Sequence, residues 1–395
     1  MKTLDSIDVK NKTVMVRVDF NVPMKDGHVT DVTRILETLP TLQELQKNGA
    51  KIVLISHLGR PEGKVDPAFS LKPLVEVLKD QLTAGSIYFS DQPIGGGLRS
   101  LVNGMYPGDI LLLENLRFYP GEESNDDIFS QHLAALADLY VNDAFSVSHR
   151  AHASVSGITR YLPVYAGRLL EKEMTTLEAV LTHPAKPLMA IVGGAKISTK
   201  LGLLKNLGSR VQVLALGGGM ANTFLYALGH SVGKSLCEPG QAKEALMILE
   251  TLKSNDCQVI LPQDVVIAPN LESGHLSAVV DIDRVPSDQM ILDVGPKTVK
   301  AIQEAIHQAK TLVWNGELGV TEVMPFDQGT VAVARSVAEQ TKSGTLKSIA
   351  GGGDTAAALH KAGCFDDFTY VSMAGGAFLE WLEGRVLPGV EALKR

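Results

Sequence analysis

Short apolar runs alternate with longer amphipathic segments along this chain. The runs are rich in Val, Ile and Leu, which predicts buried β-strands at residues 13–18, 51–56, 110–113, 139–141, 188–192, 212–216, 258–261, 290–292, 311–314, 346–350 and 369–372. Apolar residues at helical spacing predict helices between them, at 32–48, 128–137, 241–254 and 296–310. Alternation of apolar strands with helices is typical of parallel sheets that are covered on both faces.

The chain has 395 residues, which is more than one hydrophobic core usually organises, so we expect two domains. The predicted fold class is α/β, with two doubly wound, Rossmann-like parallel-sheet domains joined by a helix and a hinge. The amphipathic stretch RLLEKEMTTLEAVL is the predicted joining helix. We place the N-terminal domain at 1–167, the helix and hinge at 168–185, the C-terminal domain at 186–380 and a final segment at 381–395.

Composition limits the classes of partner. The chain carries 37 basic and 44 acidic side chains, a formal net charge of −7, and such a field does not favour nucleic acid. Its three cysteines are scattered and odd in number, which is typical of a reducing compartment. The first residues lack the apolar run of a signal peptide, and no stretch is apolar for long enough to span a bilayer. We therefore expect a cytoplasmic protein without nucleic-acid or membrane partners.

Charged and polar residues follow the predicted strands of the first half, where parallel sheets bind ligands. The stretches are RVDFN after the first strand, SHLGR after the second, LENLR after the third, and NDAF with HRAH after the fourth. Guanidinium groups match carboxylates and phosphates, so Arg34, Arg60, Arg117, Arg150 and His57 are candidates for a small-polyanion site. For any single arginine a surface ion pair is the better explanation, whereas the repetition of basic residues at equivalent strand ends favours the site. His149 and His152 have H-x-x-H spacing, but no third metal ligand is near in sequence.

Glycines follow the predicted strands of the second half, at Gly193-Gly194, 217–219, 315–319, 351–355 and 374–376. Glycines allow backbone amides to approach a ligand closely. Lys196 and Lys200 are four residues apart, so we expect them on one face of a helix that begins there, facing a chain of phosphates. Asp354 is a candidate magnesium ligand. The alternative is an ordinary strand-to-helix turn with two solvated lysines.

Two other nucleotide motifs are excluded. The stretch GHSVGKS at 229–235 has three residues between its glycines, where a P-loop requires four. The dinucleotide fingerprint G-x-G-x-x-G is missing after the first strand of either half, which weakens the case for a nicotinamide-dependent dehydrogenase. An anion site on one domain and a nucleotide site on the other favour a phosphotransferase whose domains close to exclude water.

At these residues the sequence resembles the phosphoglycerate kinase family along nearly its whole length. The matching motifs are RVDFNVP (17–23), SHLGRP (56–61), LENLRF (113–118), NDAF (142–145), HRAHAS (149–154), VGGAKISTK (192–200), GGGMANTF (217–224), LPQDVV (261–266), DVGPKT (293–298), GGGDT (351–355) and LPGVEAL (387–393). The resemblance implies reversible, in-line phosphoryl transfer from 1,3-bisphosphoglycerate to ADP, giving 3-phosphoglycerate and ATP, with Mg²⁺ and hinge closure. It also implies a role in glycolysis and gluconeogenesis, a monomer, and a final segment that folds back on the N-terminal domain.

The resemblance also assigns residues. Catalytic roles are implied for Arg34, Lys196 and Gly353, and a magnesium ligand for Asp354. Binding of the triose acid is implied for Asp19, Asn21, Arg34, His57, Leu58, Gly59, Arg60, Arg117 and Arg150. Binding of the nucleotide is implied for Gly194, Lys196, Lys200, Gly218, Glu322, Gly352, Gly353, Asp354 and Thr355.

The chain departs from the family pattern at four places. Glu317 stands where the family usually has Pro in NGP, and Thr321 stands where it has Phe. The stretch FSVSHR at 145–150 replaces FGTAHR, and SMAGGAF at 372–378 replaces STGGGAS. We expect activity to survive with reduced turnover, because the basic residues and GGGDT are intact. The altered last loop leaves open a non-catalytic binding protein that retains the fold.

Overall fold

A computed structural model describes residues 1–181 and 184–394 of the chain. Residues 182 and 183 of the expected hinge, and residue 395 of the expected final segment, lie outside the described residues. The described chain divides into two compact units, Met1–Thr175 with Val386–Arg395, and Thr176–Arg385. The division between Thr175 and Thr176 falls within the predicted joining helix.

The first unit is built on a parallel sheet with strand order β5-β6-β4-β1-β7-β8. Short β2 and β3 form a separate antiparallel hairpin. The strands are β1 (Thr13–Arg17), β2 (Met24–Lys25), β3 (His28–Val29), β4 (Lys51–Ile55), β5 (Ile87–Ser90), β6 (Ile110–Leu113), β7 (Leu139–Asn142) and β8 (Val164–Ala166). The helices are α1 (Thr33–Lys47), α2 (Leu74–Gln81), α3 (Gly96–Asn103), α4 (Pro120–Glu123), α5 (Asp127–Ala134) and α6 (Arg168–Leu181).

The second unit has a parallel sheet with strand order β11-β10-β9-β15-β16-β17. Its strands are β9 (Leu188–Val192), β10 (Val213–Leu216), β11 (Gln258–Ile260), β12 (Asp264–Ala268), β13 (Ala278–Asp281), β14 (Met290–Val294), β15 (Thr311–Asn315), β16 (Lys347–Gly351) and β17 (Tyr370–Ser372). Its helices are α7 (Leu201–Gly208), α8 (Gly218–Ala227), α9 (Ala242–Ser254), α10 (Pro296–Gln308), α11 (Gln328–Lys342), α12 (Gly353–Ala362) and α13 (Gly375–Leu382); α14 (Pro388–Glu391) follows in the last stretch of chain. The order reverses between β9 and β15, which creates a crevice at their carboxyl ends.

The α/β class with parallel sheets in both halves is confirmed. Strands such as β1, β4 and β9 are buried almost throughout, because helices cover both faces of a parallel sheet. The predicted strand at 290–292 was assigned to the parallel pattern, but β14 instead pairs antiparallel with β12 in a small sheet ordered β13-β12-β14. No helix among the described residues is both long enough and apolar enough to cross a membrane.

Two edge strands of the first sheet, β5 and β8, were not predicted. Both are short, and Tyr88 in β5 is 46% exposed, so neither carries the continuous apolar run of a central strand. Predicted helix and strand ends elsewhere differ from the observed ends by a few residues. The predicted joining helix coincides with α6 in its bounds.

Asp143, which directly follows β7, fixes the start of α6 within the first unit. Its Oδ1 accepts hydrogen bonds from the backbone N–H groups of Leu169 at 2.9 Å and Leu170 at 3.2 Å. A Cβ on Gly167 would lie 2.2 Å from the same oxygen, so only glycine allows this close approach. Burial raises the pKa of Asp143 from 3.8 to about 6.

We predict that Asp143→Asn flattens the dependence of stability on pH. Because the folded-state pKa of Asp143 is raised, its contribution to stability is fully present below about pH 3.8 and is lost as pH rises through about 6. One pKa unit corresponds to about 1.4 kcal/mol, so the total loss in wild type is on the order of 3 kcal/mol, and roughly 2 kcal/mol of it falls between about pH 4.5 and pH 7.5, where an uncharged amide loses none. Urea unfolding of both proteins at about pH 4.5 and pH 7.5 measures the difference. The exposed Asp288→Asn serves as control, and an identical pH profile in wild type and Asp143→Asn would contradict this account.

Candidate active site

Asp19, two residues beyond β1, joins side chains from several stretches of the first unit. One oxygen of its carboxylate accepts hydrogen bonds from the Arg34 guanidinium and the Ser146 hydroxyl. Its other oxygen accepts the backbone N–H of Asn21 at 3.1 Å and lies 3.9 Å from Nδ1 of His57. The structure therefore brings together four of the residues predicted for the anion site.

The turn at residues 58–60, after β4, is held by two more of the predicted residues. The backbone N–H of Gly59 donates to Oδ1 of Asn21 at 2.9 Å, and its carbonyl accepts from Nη1 of Arg117 at 2.7 Å. Gly59 has a φ of +61°, and a Cβ there would lie 2.3 Å from the ring of Phe69. Glycine is therefore required for the turn to reach both partners. Leu58, the first residue of the turn, is buried.

Arg17, at the end of β1, is a functional candidate that sequence reasoning noted only as part of a motif. It is almost completely buried, and its Nε donates to Oγ of Ser154 at 3.0 Å. Ser154 in turn donates to Oε1 of the fully buried Glu122 at 2.5 Å. Nη2 of Arg17 lies 3.1 Å from Nδ1 of His57. The available signal was a single charge at the end of an otherwise apolar strand.

Two histidines of this region, His57 and His152, lie where the protonated ring is disfavoured. Burial lowers the pKa of His57 well below its ordinary value, and positive charge on Arg17, Arg117 and Arg150 lowers it further. Because Arg17 can only donate, Nδ1 of His57 acts as the acceptor, and the approach to Asp19 is not an ion pair. The pKa of His152 falls to about 3, again mainly through burial.

The arginines differ in whether they already have a carboxylate partner. Arg34 pairs with Asp19, and Nε of Arg117 lies 3.0 Å from Oε1 of Glu123. The side chains of Arg60, which is exposed, and Arg150, which is half-buried, form no ion pair within the part of the chain that the structure describes. The surface ion-pair alternative thus holds in part for Arg34 and Arg117, while the other two guanidinium groups remain available to an anion.

In the second unit, the turns that leave β9 and β15 are in direct backbone contact. Gly193 donates its N–H to the carbonyl of Asn315 at 2.9 Å, and a Cβ on Gly193 would lie 1.9 Å from the carbonyl oxygen of Glu317. Gly316 has a φ of +90°, and a Cβ there would lie 2.3 Å from the carbonyl oxygen of Gly193. Side chains larger than hydrogen would separate the two turns.

The third glycine turn joins the same contact. Gly194 (φ +118°) donates its N–H to the carbonyl of Glu317 at 3.2 Å, and Gly218 (φ +65°) donates to that of Leu318 at 2.9 Å. A Cβ on Gly218 would lie 2.6 Å from the carbonyl oxygen of Gly194. The predicted nucleotide residues Gly194 and Gly218 are therefore neighbours in space.

The expectation that Lys196 and Lys200 share a helical face is wrong. Lys196 has extended backbone angles, a short 3₁₀ turn (Ile197–Thr199) follows it, and α7 begins only at Leu201. Lys196 is exposed, whereas Lys200 is half-buried and donates from Nζ to Oδ1 of Asn315. Burial lowers the pKa of Lys200, while carboxylates led by that of Glu317 oppose this shift. The backbone between Gly194 and Leu201 is therefore extended and then 3₁₀, so the two lysines do not lie on one α-helical face.

A polar cavity of about 460 Å³ opens where β15, β16 and β17 end. Its wall contains five of the predicted nucleotide residues, Lys200, Gly352, Gly353, Asp354 and Thr355. Nδ2 of Asn315 donates to the carbonyl of Gly351 at 2.7 Å, and the N–H of Gly316 donates to Oγ1 of Thr355 at 2.8 Å. These bonds place the N-terminus of α12, with its free N–H groups, against the cavity.

An apolar cavity of about 290 Å³ lies next to the polar one. Leu236, Leu271, Met290 and Leu292 contribute apolar wall, and Gly194, Gly218 and Glu322 also line it. Residues 315 and 316 line the polar cavity and Glu317 lines the apolar one, so the turn after β15 passes from the lining of one cavity to that of the other, at a junction between residues 316 and 317. Lys196 lines neither of them.

The altered last loop keeps its glycines at the polar cavity. Gly375 and Gly376 both line the cavity at the start of α13. Phe378, where the family pattern has a serine, is fully buried, and a Cβ on Gly351 would lie 2.3 Å from its ring. The substitution therefore repacks the floor beneath β16 and leaves the glycine backbone in place.

A built-in multidentate metal site is absent from the residues that the structure describes, where no three His, Cys, Asp or Glu side chains are grouped to hold an ion. A metal ion would need oxygens from a ligand in addition to those of the protein. Asp354 fits that requirement, because its exposed carboxylate stands in the first turn of α12 at the polar cavity. Mg²⁺ is commonly held by one or two carboxylates together with nucleotide phosphates and water.

One Rossmann-like unit carries a cluster of basic side chains suited to a small anion. The other carries a polar and an apolar cavity that border one turn. This arrangement is typical of a nucleotide-dependent phosphotransferase. The family model of phosphoglycerate kinase matches residues 4–385. The chain is 53% identical over 398 residues to phosphoglycerate kinase of Sinorhizobium fredii, covering 100% of this chain and 99% of that protein. It is 52% identical over 393 residues to phosphoglycerate kinase of Rhodopseudomonas palustris, covering 100% and 98%.

Solved structures agree with this assignment. Phosphoglycerate kinase from Coxiella burnetii superposes with a TM-score of 0.92 at 42% identity, covering 99% of this chain and 98% of that one. The enzyme from Pyrococcus horikoshii superposes with a TM-score of 0.80 at 29% identity, covering 100% and 98%. The chain belongs to the phosphoglycerate kinase family, and the resemblance seen in its motifs is confirmed.

We predict that His57 does not titrate between about pH 5 and 8. Its pKa is held well below the ordinary value by burial and by neighbouring arginines, so the ring is neutral throughout this range. Histidine-labelled protein followed by NMR measures the ring signals, and His57→Gln assigns the one that belongs to His57. The urea-unfolded protein is the control, where the same ring should titrate near about 6.5. A midpoint near that value in the folded protein would contradict the prediction.

Proposed function

We propose that this chain catalyses the reversible transfer of a phosphoryl group between 1,3-bisphosphoglycerate and ADP, using the two sites described above. In the forward direction an oxygen of the β-phosphate of ADP bonds to the acyl phosphorus, and the bond to the C1 carboxylate oxygen breaks. The products are ATP and 3-phosphoglycerate. The carboxylate leaving group is stable as an anion, so the reaction requires no general acid or base. The enzyme is thus a phosphotransferase with a carboxyl group as acceptor in the reverse direction.

The polar and apolar cavities that border the turn after β15 are the observation that carries this proposal. An apolar space suits a nucleoside, and a glycine-lined space at a helix N-terminus suits its phosphates. In this interpretation Glu322 receives ribose hydroxyls, and Gly352, Gly353 and Thr355 face the phosphates. Lys200, already fixed by Asn315, would add its charge to the same chain of phosphates.

The cationic region of the first unit would bind the triose acid. Arg60 and Arg150 have no carboxylate partner among the described residues, and both could pair with phosphate or carboxylate oxygens. Asp19 would accept a hydrogen bond from the substrate hydroxyl, and the amide of Asn21 would donate or accept one. The neutral ring of His57, oriented by Arg17, supplies a hydrogen bond without adding charge.

Electrostatic stabilisation is the main task in phosphoryl transfer. Arg34 and Lys196 would face the equatorial oxygens of the group in flight, where negative charge is spread. Transfer in line requires both substrates to meet in a space without water, so we include closure about the joining helix in the proposal. When bound at Asp354, Mg²⁺ would neutralise charge on the nucleotide phosphates.

Purified protein with 3-phosphoglycerate, ATP and Mg²⁺ tests the function, with product formation followed through a coupled dehydrogenase. We expect turnover that disappears when Mg²⁺ is chelated. Binding of both substrates without turnover would favour instead a binding protein whose 372–378 loop has lost the chemistry. Failure of 3-phosphoglycerate to bind in calorimetry would remove the proposed substrate altogether.

We predict that Lys196→Ala lowers kcat on the order of a hundredfold to a thousandfold, because its charge acts on the transition state. The side chain is exposed and lines neither cavity, so the fold should be unaffected. The same coupled assay gives kcat, and circular dichroism checks folding. Lys205→Ala is the matched control, because Lys205 is also exposed but pairs with Glu244 on the surface. An unchanged kcat for Lys196→Ala would remove Lys196 from the mechanism.

We predict that Arg60→Ala raises the KM for 3-phosphoglycerate by about tenfold or more, as expected for one charge-assisted hydrogen bond. The KM for ATP should stay the same, since Arg60 belongs to the first unit. Steady-state kinetics with each substrate varied separately measures both constants. The exposed Arg99→Ala, on α3, is the control. A rise in the KM for ATP alone would reverse the assignment of the two sites.

A further inference from the structure

Glu317 carries a carboxylate oxygen, Oε2, that has no hydrogen-bond partner among the described residues. The residue follows Gly316 at the end of β15, where the family usually has proline. Its Oε2 is fully buried, and no group among the described residues donates a hydrogen bond to it. A buried acceptor left unpaired lowers stability, and more so if it is charged. A bound molecule that brings a donor to this oxygen would recover that free energy.

Glu317 lines the apolar cavity together with Glu322. Asp293 also lines this cavity, but its Oδ1 accepts the N–H of Val294 at 2.8 Å and its Oδ2 accepts that of Gly329 at 2.7 Å. Glu317 and Glu322 are therefore the carboxylates of this wall with capacity for a ligand. Burial raises the pKa of Glu317, and the charges of Asp354 and Glu322 add to the shift, while a hydrogen bond from its own backbone N–H and the charge of Lys200 oppose it.

The position of Glu317 identifies which part of a nucleotide meets it. Residues 315 and 316 line the polar cavity, and Glu317 lines the apolar one, so Glu317 stands at the junction of the two linings. Phosphate oxygens are acceptors and cannot satisfy an orphan acceptor. The sugar lies between phosphates and base in every nucleotide, and its hydroxyls are donors. The junction therefore matches the ribose.

We propose that Glu317 accepts a hydrogen bond from one of the two ribose hydroxyls, alongside Glu322, and so strengthens selection of ribonucleotides over deoxyribonucleotides. The inference rests on the proposed nucleotide site and adds a specificity residue to it. A proline at this position has no side-chain acceptor, so a chain with the usual family residue would lack this second contact. A site built to bind a hydroxyl rejects an analogue without it, because the buried acceptor is then left unpaired.

Calorimetry with ADP, 2′-deoxy-ADP and 3′-deoxy-ADP tests this inference on wild type, Glu317→Pro and Glu317→Gln. In wild type we expect one deoxy analogue to bind about tenfold or more weaker than ADP because of Glu317. Glu317→Pro should weaken ADP by a similar factor and leave that analogue unchanged. Glu317→Gln retains an acceptor oxygen and should give an intermediate loss. Glu322→Gln is the matched comparison, and the affinity that it loses should depend on the other ribose hydroxyl.

Steady-state kinetics with ATP and the two deoxy-ATP analogues adds a second readout. Glu317→Pro should raise the KM for ATP and leave kcat the same, because the hydroxyl contact is equal in ground and transition states. Equal loss of affinity for ADP and both analogues would overturn the inference, since the carboxylate would then act on the phosphates through Lys200. No loss for any ligand would overturn it as well.

The design separates this inference from the proposed function. If ADP binds and no turnover is seen, the catalytic proposal fails while the binding ratios still decide the role of Glu317. If turnover is normal and the ratios match in wild type and Glu317→Pro, only the ribose contact is wrong. If ADP does not bind at all, the nucleotide site and the inference fall together.

Discussion

The backbone contact between the turns that leave β9 and β15 is the constraint on which the site of the second unit depends. These strands are neighbours at the point where the strand order reverses, so their turns meet at one edge of the sheet. Gly193 and Gly316 approach so closely that a Cβ on either would overlap the other turn. The contact holds Asn315 where it bonds both Lys200 and the carbonyl of Gly351. From that single arrangement follow the polar cavity, the position of α12 and the junction with the apolar cavity.

A different physical constraint applies in the first unit, where charged side chains are buried beside the anion site. Arg17 is enclosed by the protein, and the hydroxyl of Ser154 links it to the buried carboxylate of Glu122. Burying one charge without the other would cost several kcal/mol, so the network is stable only as a whole. It orients His57, and Arg60 and Arg150 form no ion pair among the described residues. The basic side chains at the ends of the strands are therefore supported by this buried network.

Much of the fold and of the candidate site could be predicted from patterns in the chain. Central strands such as β1 and β9 are continuous apolar runs, because both faces of a parallel sheet are covered. Edge strands carry a weaker pattern, and β5 and β8 were accordingly missed. The pairing of β14 with β12 was missed for another reason, because an apolar run predicts a buried strand but not whether the neighbouring strand is parallel or antiparallel to it. The helical face assumed for Lys196 and Lys200 was wrong because the backbone there is extended and then 3₁₀.

What the sequence determined by itself was the alternation of strands and helices, the residue types at each strand end and, through its motifs, the family. These depend on local periodicity and on side-chain chemistry, both of which are set by residues that are close together in the sequence. Only the tertiary structure decided which groups meet. The burial of Arg17 against Glu122 joins residues more than a hundred positions apart, and the unpaired oxygen of Glu317 becomes visible only when every possible donor has been placed. Burial and pairing are properties of the packed molecule, because they depend on atoms that are distant in the chain and adjacent in space.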